Sequence, residues 1–273
     1  MSVFFLNPDG ELRELQGDAN LNLKTIPADI ALEAQRGNVP GQSVTTRFGR
    51  NPNISNAATY ESIWNGGGEY TGFNATRAEI IEVFSGDVVD GSAGVGARTV
   101  ELFGLKADYT AQSETVTLNG TVAVNTVGSY IRMDHAIVRS AGGSSKNVGE
   151  ITARQAVGTD NKFMVMPVGY NETMICTLTV PGSKTAYIRD WNGYLSGKVN
   201  ANVLVRLSAR PDGEVFQVKE ELSLMASGNS NTDRDYDLWK GSFSAKTDIK
   251  IEASADTNST GVAASMDFLL IDD

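Results

Sequence analysis

The stretch Val199-Asn-Ala-Asn-Val-Leu-Val-Arg-Leu-Ser208 carries the clearest pattern in the chain. Apolar residues occupy nearly every second position, with Leu204 as the exception, and Asn, Arg and Ser stand between them. Because successive side chains of a strand point to opposite faces of a sheet, this period predicts a β-strand with one buried face. The expected core residues are Val203, Val205 and Leu207, and the residues expected to face water or a partner subunit are Arg206 and Ser208.

The residues that follow predict a hairpin partner for this strand. Pro211-Asp-Gly213 is a typical turn sequence, and alternation resumes after it. Glu220 interrupts the new apolar face, which predicts a β-bulge or a local exit from the core at that point. The apolar positions of the second strand are Phe216, Val218, Leu222 and Leu224.

Similar short runs recur from about Ala78 to the end of the chain. About a dozen strands separated by polar turns predict an all-β domain over residues 76–273, an antiparallel β-sandwich of jelly-roll type. The earlier strands are expected at Glu79–Phe84, Arg98–Phe103, Glu114–Leu118, Tyr130–Val138, Val148–Gln155 and Phe163–Val168. The last two strands place Ile249, Ile251, Ala253 and Ala255, and then Val262, Ala264, Met266, Phe268 and Leu270, in the core.

Residues 1–75 differ from the rest and predict an extended N-terminal arm. Thr25–Gly37 is its one helix candidate, since Thr25 can cap, Pro27 suits the first turn and Gly37 can end the helix. The loop-like stretches 47–53 and 63–70 hold more aromatic residues than a disordered linker would. We expect an ordered arm that wraps its own domain or a neighbour, and we favour docking on a neighbouring subunit. The predicted interface residues are Phe48, Arg50, Trp64 and Tyr70 in the arm and Arg206 in the sandwich.

Charge and composition exclude several partners. The net charge is −10 with no basic cluster, so we expect no nucleic-acid partner. No apolar run is long enough to cross a bilayer, and the start of the chain lacks the features of a signal peptide, so no membrane partner is expected either. Cys176 is the one cysteine, which rules out an intrachain disulfide, suits a reducing cytoplasm and predicts a small buried hydrophobe.

Candidate sites for chemistry are few. His135 is the single histidine, and it shares a predicted face with Ile131, Met133 and Ile137, so we expect a packed or interface side chain rather than a catalytic one. One Cys and one His cannot form the usual zinc site, and we predict no metal or other cofactor. Asp233, Asp235 and Asp237 resemble a calcium loop, but the sixth position is Leu238 and the twelfth is Ser244, so cation binding by these aspartates stays open.

Two further patterns have ordinary structural explanations. Gly66-Gly67-Gly68 lacks the Lys and Ser or Thr of a phosphate loop and predicts a turn with positive φ. Trp64, Trp191 and Trp239 could stack on sugars, although such aromatics more often belong to a core or an assembly interface.

Several stretches resemble a family of small virion proteins of tailed bacteriophages, many from marine and aquatic phages. The similar stretches are Arg47–Asn53, Ile63–Tyr70, Ala97–Leu105, Ser113–Thr121, and Gly213–Phe216 through Lys246–Ile249. The resemblance covers about residues 40–273 and implies a virion structural component without naming its place in the particle.

We therefore expect a non-enzymatic virion protein, assembled in the host cytoplasm, that decorates or cements a phage head or sits at the head–tail junction. Its expected partners are further copies of itself, in a trimer by preference, and the major capsid or head–tail proteins. Two alternatives stay open: a tail or fibre component whose loops bind host glycans, and a glycan-degrading enzyme. A binding module predicts exposed aromatics gathered at one end of the sandwich, whereas a cement protein predicts apolar patches and an arm lying along subunit contacts.

Overall fold

The computed structural model of the chain describes residues 4–6, 12–14, 30–56, 59–156, 161–196, 201–225, 231–235 and 241–273. Within these ranges the chain is built almost entirely of antiparallel strands, as predicted, with one α-helix, α1 (Ile30–Gln35), and one 3₁₀ helix (Thr71–Asn74). The strands are β1 (Phe4–Leu6), β2 (Leu12–Glu14), β3 (Gln42–Ile54), β4 (Glu61–Ser62), β5 (Glu79–Ser85), β6 (Ala97–Leu105), β7 (Ala111–Thr117), β8 (Val124–Tyr130), β9 (Arg132–Ala141), β10 (Ile151–Gln155), β11 (Lys162–Met166), β12 (Thr177–Thr179), β13 (Lys184–Leu195), β14 (Asn202–Arg210), β15 (Gln217–Met225), β16 (Asn231–Asp235), β17 (Ser242–Phe243), β18 (Asp248–Ala255) and β19 (Thr260–Asp272).

The chain divides into an N-terminal unit, Met1–Ser43, and a main unit, Val44–Asp273. The N-terminal unit contains the β1–β2 hairpin and α1. Gly37, with φ of +75°, ends α1, and the amide nitrogens of Gly37 and Asn38 donate to the carbonyls of Ala34 and Glu33. This is the C-terminal cap that the sequence predicted. Thr25 and Pro27 lie outside the described residues.

The main unit consists of two β-sandwiches. The predicted sandwich fold is confirmed, but the sequence predicted one sandwich and the structure contains two. We call the first the parent sandwich. One of its sheets has the strand order β16-β13-β19-β3, with β17 beside β13, and the other has β12-β18-β14-β15, with β4 beside β18. The inserted sandwich occupies the chain between β4 and β12. Its sheets are β11-β10-β5-β8 and β7-β6-β9.

Each sandwich has its own core. In the parent sandwich, residues of both sheets form one cluster around the fully buried Trp191 and Phe268. All the positions of β14, β18 and β19 that the alternation assigned to the core are buried. A second cluster fills the inserted sandwich, with Leu102, Tyr130 and Phe163 among its fully buried members. The apolar pattern therefore located the buried faces of β14, β18 and β19 correctly.

The β14–β15 hairpin contains the predicted bulge. Leu207 pairs with Glu220 but Ser208 pairs with Val218, so Lys219 is the extra residue. Beyond the bulge, Val218 is exposed, whereas Leu222 on the other side is buried as predicted.

β3 corrects the prediction that residues 47–53 form a loop. The segment is part of a thirteen-residue strand at the edge of its sheet. Pro52 is tolerated there because an edge strand leaves one side of its backbone unpaired. The strand is rich in Arg, Asn and Thr because much of it is half-buried or exposed, and so it lacks the apolar alternation that marks a strand in sequence.

β13 was not predicted, although it pairs along most of its length with β19. Its pairing register shifts between Ile188 and Asp190, which marks a bulge at Arg189. Buried positions are even-numbered up to Ile188 and odd-numbered from Trp191, so the bulge breaks the period that sequence inspection depends on.

The last two strands, β18 and β19, lie in different sheets rather than pairing with each other. Residues 256–259 carry the chain from one sheet of the parent sandwich to the other. The apolar residues of both strands still face the same core.

Candidate functional site

The two chain connections to the inserted sandwich are hydrogen-bonded to each other. Trp64 and Ile175 form an antiparallel bridge, and the Cys176 amide donates to the Ile63 carbonyl at 3.0 Å. We call these segments, residues 63–65 and 174–176, the neck. Cys176 is fully buried there, as predicted, and burial raises the pKa of its thiol.

The aromatic loop after β4 packs inside its own chain. Trp64, Tyr70 and Phe73 are at most 5% exposed, and Tyr70 meets both other rings edge-to-face, at centroid distances of 5.2 and 4.9 Å. The Tyr70 hydroxyl donates to the Phe163 carbonyl of β11 at 3.1 Å. The loop therefore joins the parent sandwich to the inserted one. Two of the predicted interface residues, Trp64 and Tyr70, are not presented to another subunit in this conformation.

Glu61 holds the turn of this loop. Its carboxylate accepts hydrogen bonds from the Gly68 amide, the Ser55 amide and hydroxyl, and the Asn51 side chain. Burial opposes ionisation of Glu61, but these hydrogen bonds outweigh it and lower the pKa of the carboxyl. Gly67 and Gly68 have φ of +69° and +62°, which confirms the turn predicted for the triglycine.

A buried ion pair crosses the junction between the sandwiches. Arg132, the first residue of β9, donates from Nε and a terminal nitrogen to the two carboxylate oxygens of Asp248 on β18, at 2.9 and 3.0 Å. The same carboxylate accepts from Arg210 at 2.6 Å and from the Thr179 hydroxyl at 2.6 Å. The side chains of Arg132 and Asp248 are 6% and 3% exposed. Burial opposes the charge on Arg132, but Asp248 outweighs it, and the pKa of the guanidinium is raised.

The ion pair belongs to a longer charged row on the outer face of the β14–β18 pair. Register places Arg206 opposite Glu252, Ser208 opposite Lys250 and Arg210 opposite Asp248. Glu252 accepts from Arg206 at 2.7 Å and from Ser208 at 2.7 Å, and Lys250 lies 2.8 Å from it. Burial opposes the charge on Glu252, yet Lys250, Ser208 and Arg206 outweigh it and lower the pKa of the carboxyl.

This row corrects the prediction that the outer face of β14 meets water or a partner. Ser208 is 1% exposed, and Arg206 lies over the Tyr60 ring at 3.5 Å. The Tyr60 hydroxyl in turn donates to Glu221. Sequence reasoning missed the row, although a signal was present: the i, i+2 charges Asp248, Lys250 and Glu252 alternate in sign opposite a strand with two arginines.

The remaining predicted interface residues lie on β3. Phe48 is 41% exposed and stacks on Tyr194 at 6.3 Å. Arg50 is half-buried and donates from Nε to the Ser196 hydroxyl at 3.2 Å. Of the two, Phe48 is the side chain that offers surface to another molecule.

A cleft of about 430 Å³ lies beside Phe48, where β3 faces β9 and the segment before the neck. Arg47, His135 and Glu172 line it, and Tyr170, 49% exposed, stands with Phe48 at its rim. Arg47 pairs with Asp134 at 3.4 Å, and burial raises the pKa of the Asp134 carboxyl. Among side chains that the structure describes, Phe48 and Tyr170 are the large aromatics classed as exposed.

His135 is packed, as the sequence predicted. Its ring stacks on Phe103 at 4.4 Å with an interplanar angle of 4°. Burial lowers the pKa of the imidazole to about 4, and the nearby Arg47 and Arg139 act in the same direction. His135 is therefore neutral at physiological pH.

The aspartates considered for cation binding can be placed only in part. β16 contains Asp233 and Asp235, but their side chains lie outside the described residues, as does the whole of Asp237, together with Trp239. Within the described ranges, no group of three or more His, Cys, Asp or Glu is placed to hold a metal ion. In the same part of the chain, no helix has the length and apolar character that spanning a bilayer requires.

Comparison with protein-family models and with curated protein sequences gave no match. Among solved structures, the chain is similar to that of the infectious bursal disease virus Gx strain, with 8% identity, a TM-score of 0.24, and 85% of this chain and 72% of that chain covered. It is also similar to the VP2 subviral particle of the same virus, with 8% identity, a TM-score of 0.19, and coverage of 86% and 73%. Neither is from a tailed bacteriophage, and likenesses this low say nothing about function.

Proposed function

We propose that this protein is a non-enzymatic structural component of a virus particle, and that in a tailed bacteriophage it decorates or cements the head. The observation that carries the proposal is the buried junction between the sandwiches, where Arg132, Asp248 and Arg210 lock two folded bodies together. Separating the two sandwiches would leave these buried charges without partners, at a high cost in free energy. The sequence resemblance over residues 40–273 supports the same role.

The protein acts through contacts rather than chemistry. Repeated copies bury surface against one another and against the major capsid or head–tail proteins, and many modest interfaces add up around a shell. The N-terminal unit, compact by itself, is the element that attaches each copy to its neighbour. A trimer is the oligomer that we favour.

Deleting residues 1–39 tests the proposal. The truncated chain should keep its β circular dichroism and cooperative unfolding, because both cores lie in the main unit. It should be absent from gradient-purified particles, to which the full chain binds. Normal incorporation of the truncated chain would contradict attachment by the N-terminal unit, and failure of the full chain to bind particles would contradict the structural role.

The cleft beside Phe48 favours a second candidate, a tail or fibre component that binds host glycans. Exposed rings at the rim of a polar cleft suit the apolar face of a sugar, while Glu172 supplies an acceptor for hydroxyl groups. Saturation-transfer NMR against a glycan panel tests it. Binding lost in both Phe48→Ala and Tyr170→Ala, but kept in Leu204→Ala at an equally exposed site elsewhere, would favour this function.

A further inference from the structure

The four loops at one end of the inserted sandwich form a single surface. Ile151, at the start of β10, pairs with Ser85 at the end of β5 and with Met166 at the end of β11, and Ala97 at the start of β6 pairs with Ala141 at the end of β9. The loops at residues 86–96, 118–123, 142–150 and 167–171 therefore meet at the end away from the Arg132–Asp248 junction. We call them the distal loops.

Buried polar side chains hold the distal loops in one arrangement. Asp90 is fully buried, and its carboxylate accepts from the amides of Ala97, Val148 and Gly149 and from the Ser85 hydroxyl, at 2.6 to 3.2 Å. Asn147, also fully buried, donates to the carbonyls of Gly149 and Pro167. Because the fold itself orders these loops, binding through them carries little further cost in conformational entropy.

The distal loops expose apolar side chains. Val88 is 73% exposed, Val122 58%, and Val95 and Val168 56% each. Val88 and Val122 lie on loops that contact each other: the Gly120 amide donates to the Asp90 carbonyl, and a Cβ added at Gly120 would lie 2.9 Å from the Val88 Cα. Apolar side chains gathered on one preformed surface are typical of a protein–protein contact, whereas single exposed valines would need no explanation.

Charge is nearly absent from this surface. The charged residues of the distal loops are Asp87, Asp90, Lys146 and Glu150, and Asp90 is buried. The two classed as exposed, Lys146 and Glu150, have opposite signs. In a chain with a net charge of −10, two copies repel each other over most of their surface. The distal loops are a place where copies can approach without that repulsion, and Lys146 of one copy can face Glu150 of another.

We propose that the distal loops are the surface through which copies of this chain associate with one another. The inference rests on the proposed structural function and adds the location of the self-contact. Depletion of charge with exposed valines around rigid backbone matches the core of a homo-oligomer interface. Opposite charges on one patch suit a contact around a three-fold axis, where each copy presents Lys146 to one neighbour and Glu150 to the other.

Sedimentation velocity of the full chain, from about 1 to 100 µM, tests the proposal. The wild-type chain should associate, and raising the salt concentration should not weaken the association, because the contact is apolar and the overall repulsion is screened. Val88→Asp and Val122→Asp should each weaken it by at least about tenfold. Val215→Asp, at a site 74% exposed in the parent sandwich, is the matched control and should associate like wild type.

Three results would overturn the inference in distinguishable ways. Association that survives both distal substitutions would place the self-contact elsewhere and leave the structural function standing. Equal loss in Val215→Asp would point to a general charge effect. A wild-type chain that stays monomeric, while Val122→Asp fails to enter particles, would mean that the distal loops bind a different protein.

Discussion

Arg132 and Asp248 form a bidentate ion pair that joins β9 of the inserted sandwich to β18 of the parent sandwich, with hydrogen bonds of 2.9 and 3.0 Å. Arg132→Met should lower the free energy of unfolding by about 3 kcal/mol. This is the low end of what breaking a buried ion pair costs, since Arg210 still neutralises Asp248. Urea denaturation measures the loss. The matched control is Arg77→Met, an exposed arginine that pairs with Glu79, and it should unfold like wild type.

The charged row makes Arg206 more important to stability than its position on an outward face suggests. From the sequence alone, Arg206→Asp should be tolerated in the isolated subunit. The structure predicts the opposite, because the new carboxylate would face Glu252, whose side chain is 4% exposed. We expect a loss of about 2–4 kcal/mol. Lys219→Asp on the neighbouring β15 is the control, and a melting temperature equal for the two variants would contradict this assignment.

His135 gives the chain a measurable dependence on pH. Its pKa is about 4 when folded and 6.5 as the ordinary value, so the unfolded chain binds a proton first as the pH falls. The His135 contribution to stability is therefore present above pH 6.5 and lost between pH 6.5 and 4, by at most about 3 kcal/mol. The difference in stability between wild type and His135→Gln should shift in favour of the variant over that range. A difference that does not change with pH would show that the imidazole titrates normally.

Asp90 should control the order of the distal loops. Asp90→Ala removes the acceptor for three backbone amides and one hydroxyl, at a cost on the order of 3–5 kcal/mol. Hydrogen exchange should rise most at Ala97, Val148 and Gly149 and least in the parent sandwich. Asp90→Asn keeps one acceptor oxygen, so its exchange rates in these loops should lie between those of the wild type and those of Asp90→Ala. Uniform exchange across both sandwiches would mean that Asp90 supports global stability rather than these loops.

A substitution at Gly49 on the edge strand β3 would test how closely the neck packs against that strand. A Cβ at this position would lie 2.2 Å from the Ile63 carbonyl oxygen and 2.4 Å from the Cys176 nitrogen, both backbone atoms. Gly49→Ala should therefore cost about 3 kcal/mol, the upper end of the range for overpacking. Gly143→Ala, with no atom within 4 Å of its added Cβ, should leave the melting temperature unchanged within error.

Sequence reasoning succeeded where side chains alternate without interruption. The core positions of β14, β18 and β19 were assigned from period two alone, and the Glu220 bulge was predicted from a single charged residue. It failed where a bulge shifts the period, as at Arg189 in β13, and where a polar edge strand such as β3 carries no period at all.

The candidate sites were harder to predict because they depend on contacts between distant segments. Arg132 and Asp248 lie 116 positions apart in sequence, so no local pattern marks them as partners. The aromatic loop was correctly expected to be ordered. Its packing on the inserted sandwich was not predictable, because the carbonyl that accepts the Tyr70 hydroxyl lies on β11, far along the chain. Burial of both faces of β18 likewise depends on chain segments that only the fold brings there.

The neck affects how the inserted sandwich can be replaced during evolution. Residues 64 and 175 bridge each other, so the chain leaves the parent sandwich and returns to it through adjacent points. The segment between them therefore begins and ends at the same place in the fold. Replacing it with a short turn would leave the strands of the parent sandwich in their positions. Recombination could therefore exchange the inserted sandwich between related genes as one unit, changing the surface that this sandwich presents while the fold of the parent sandwich stays intact.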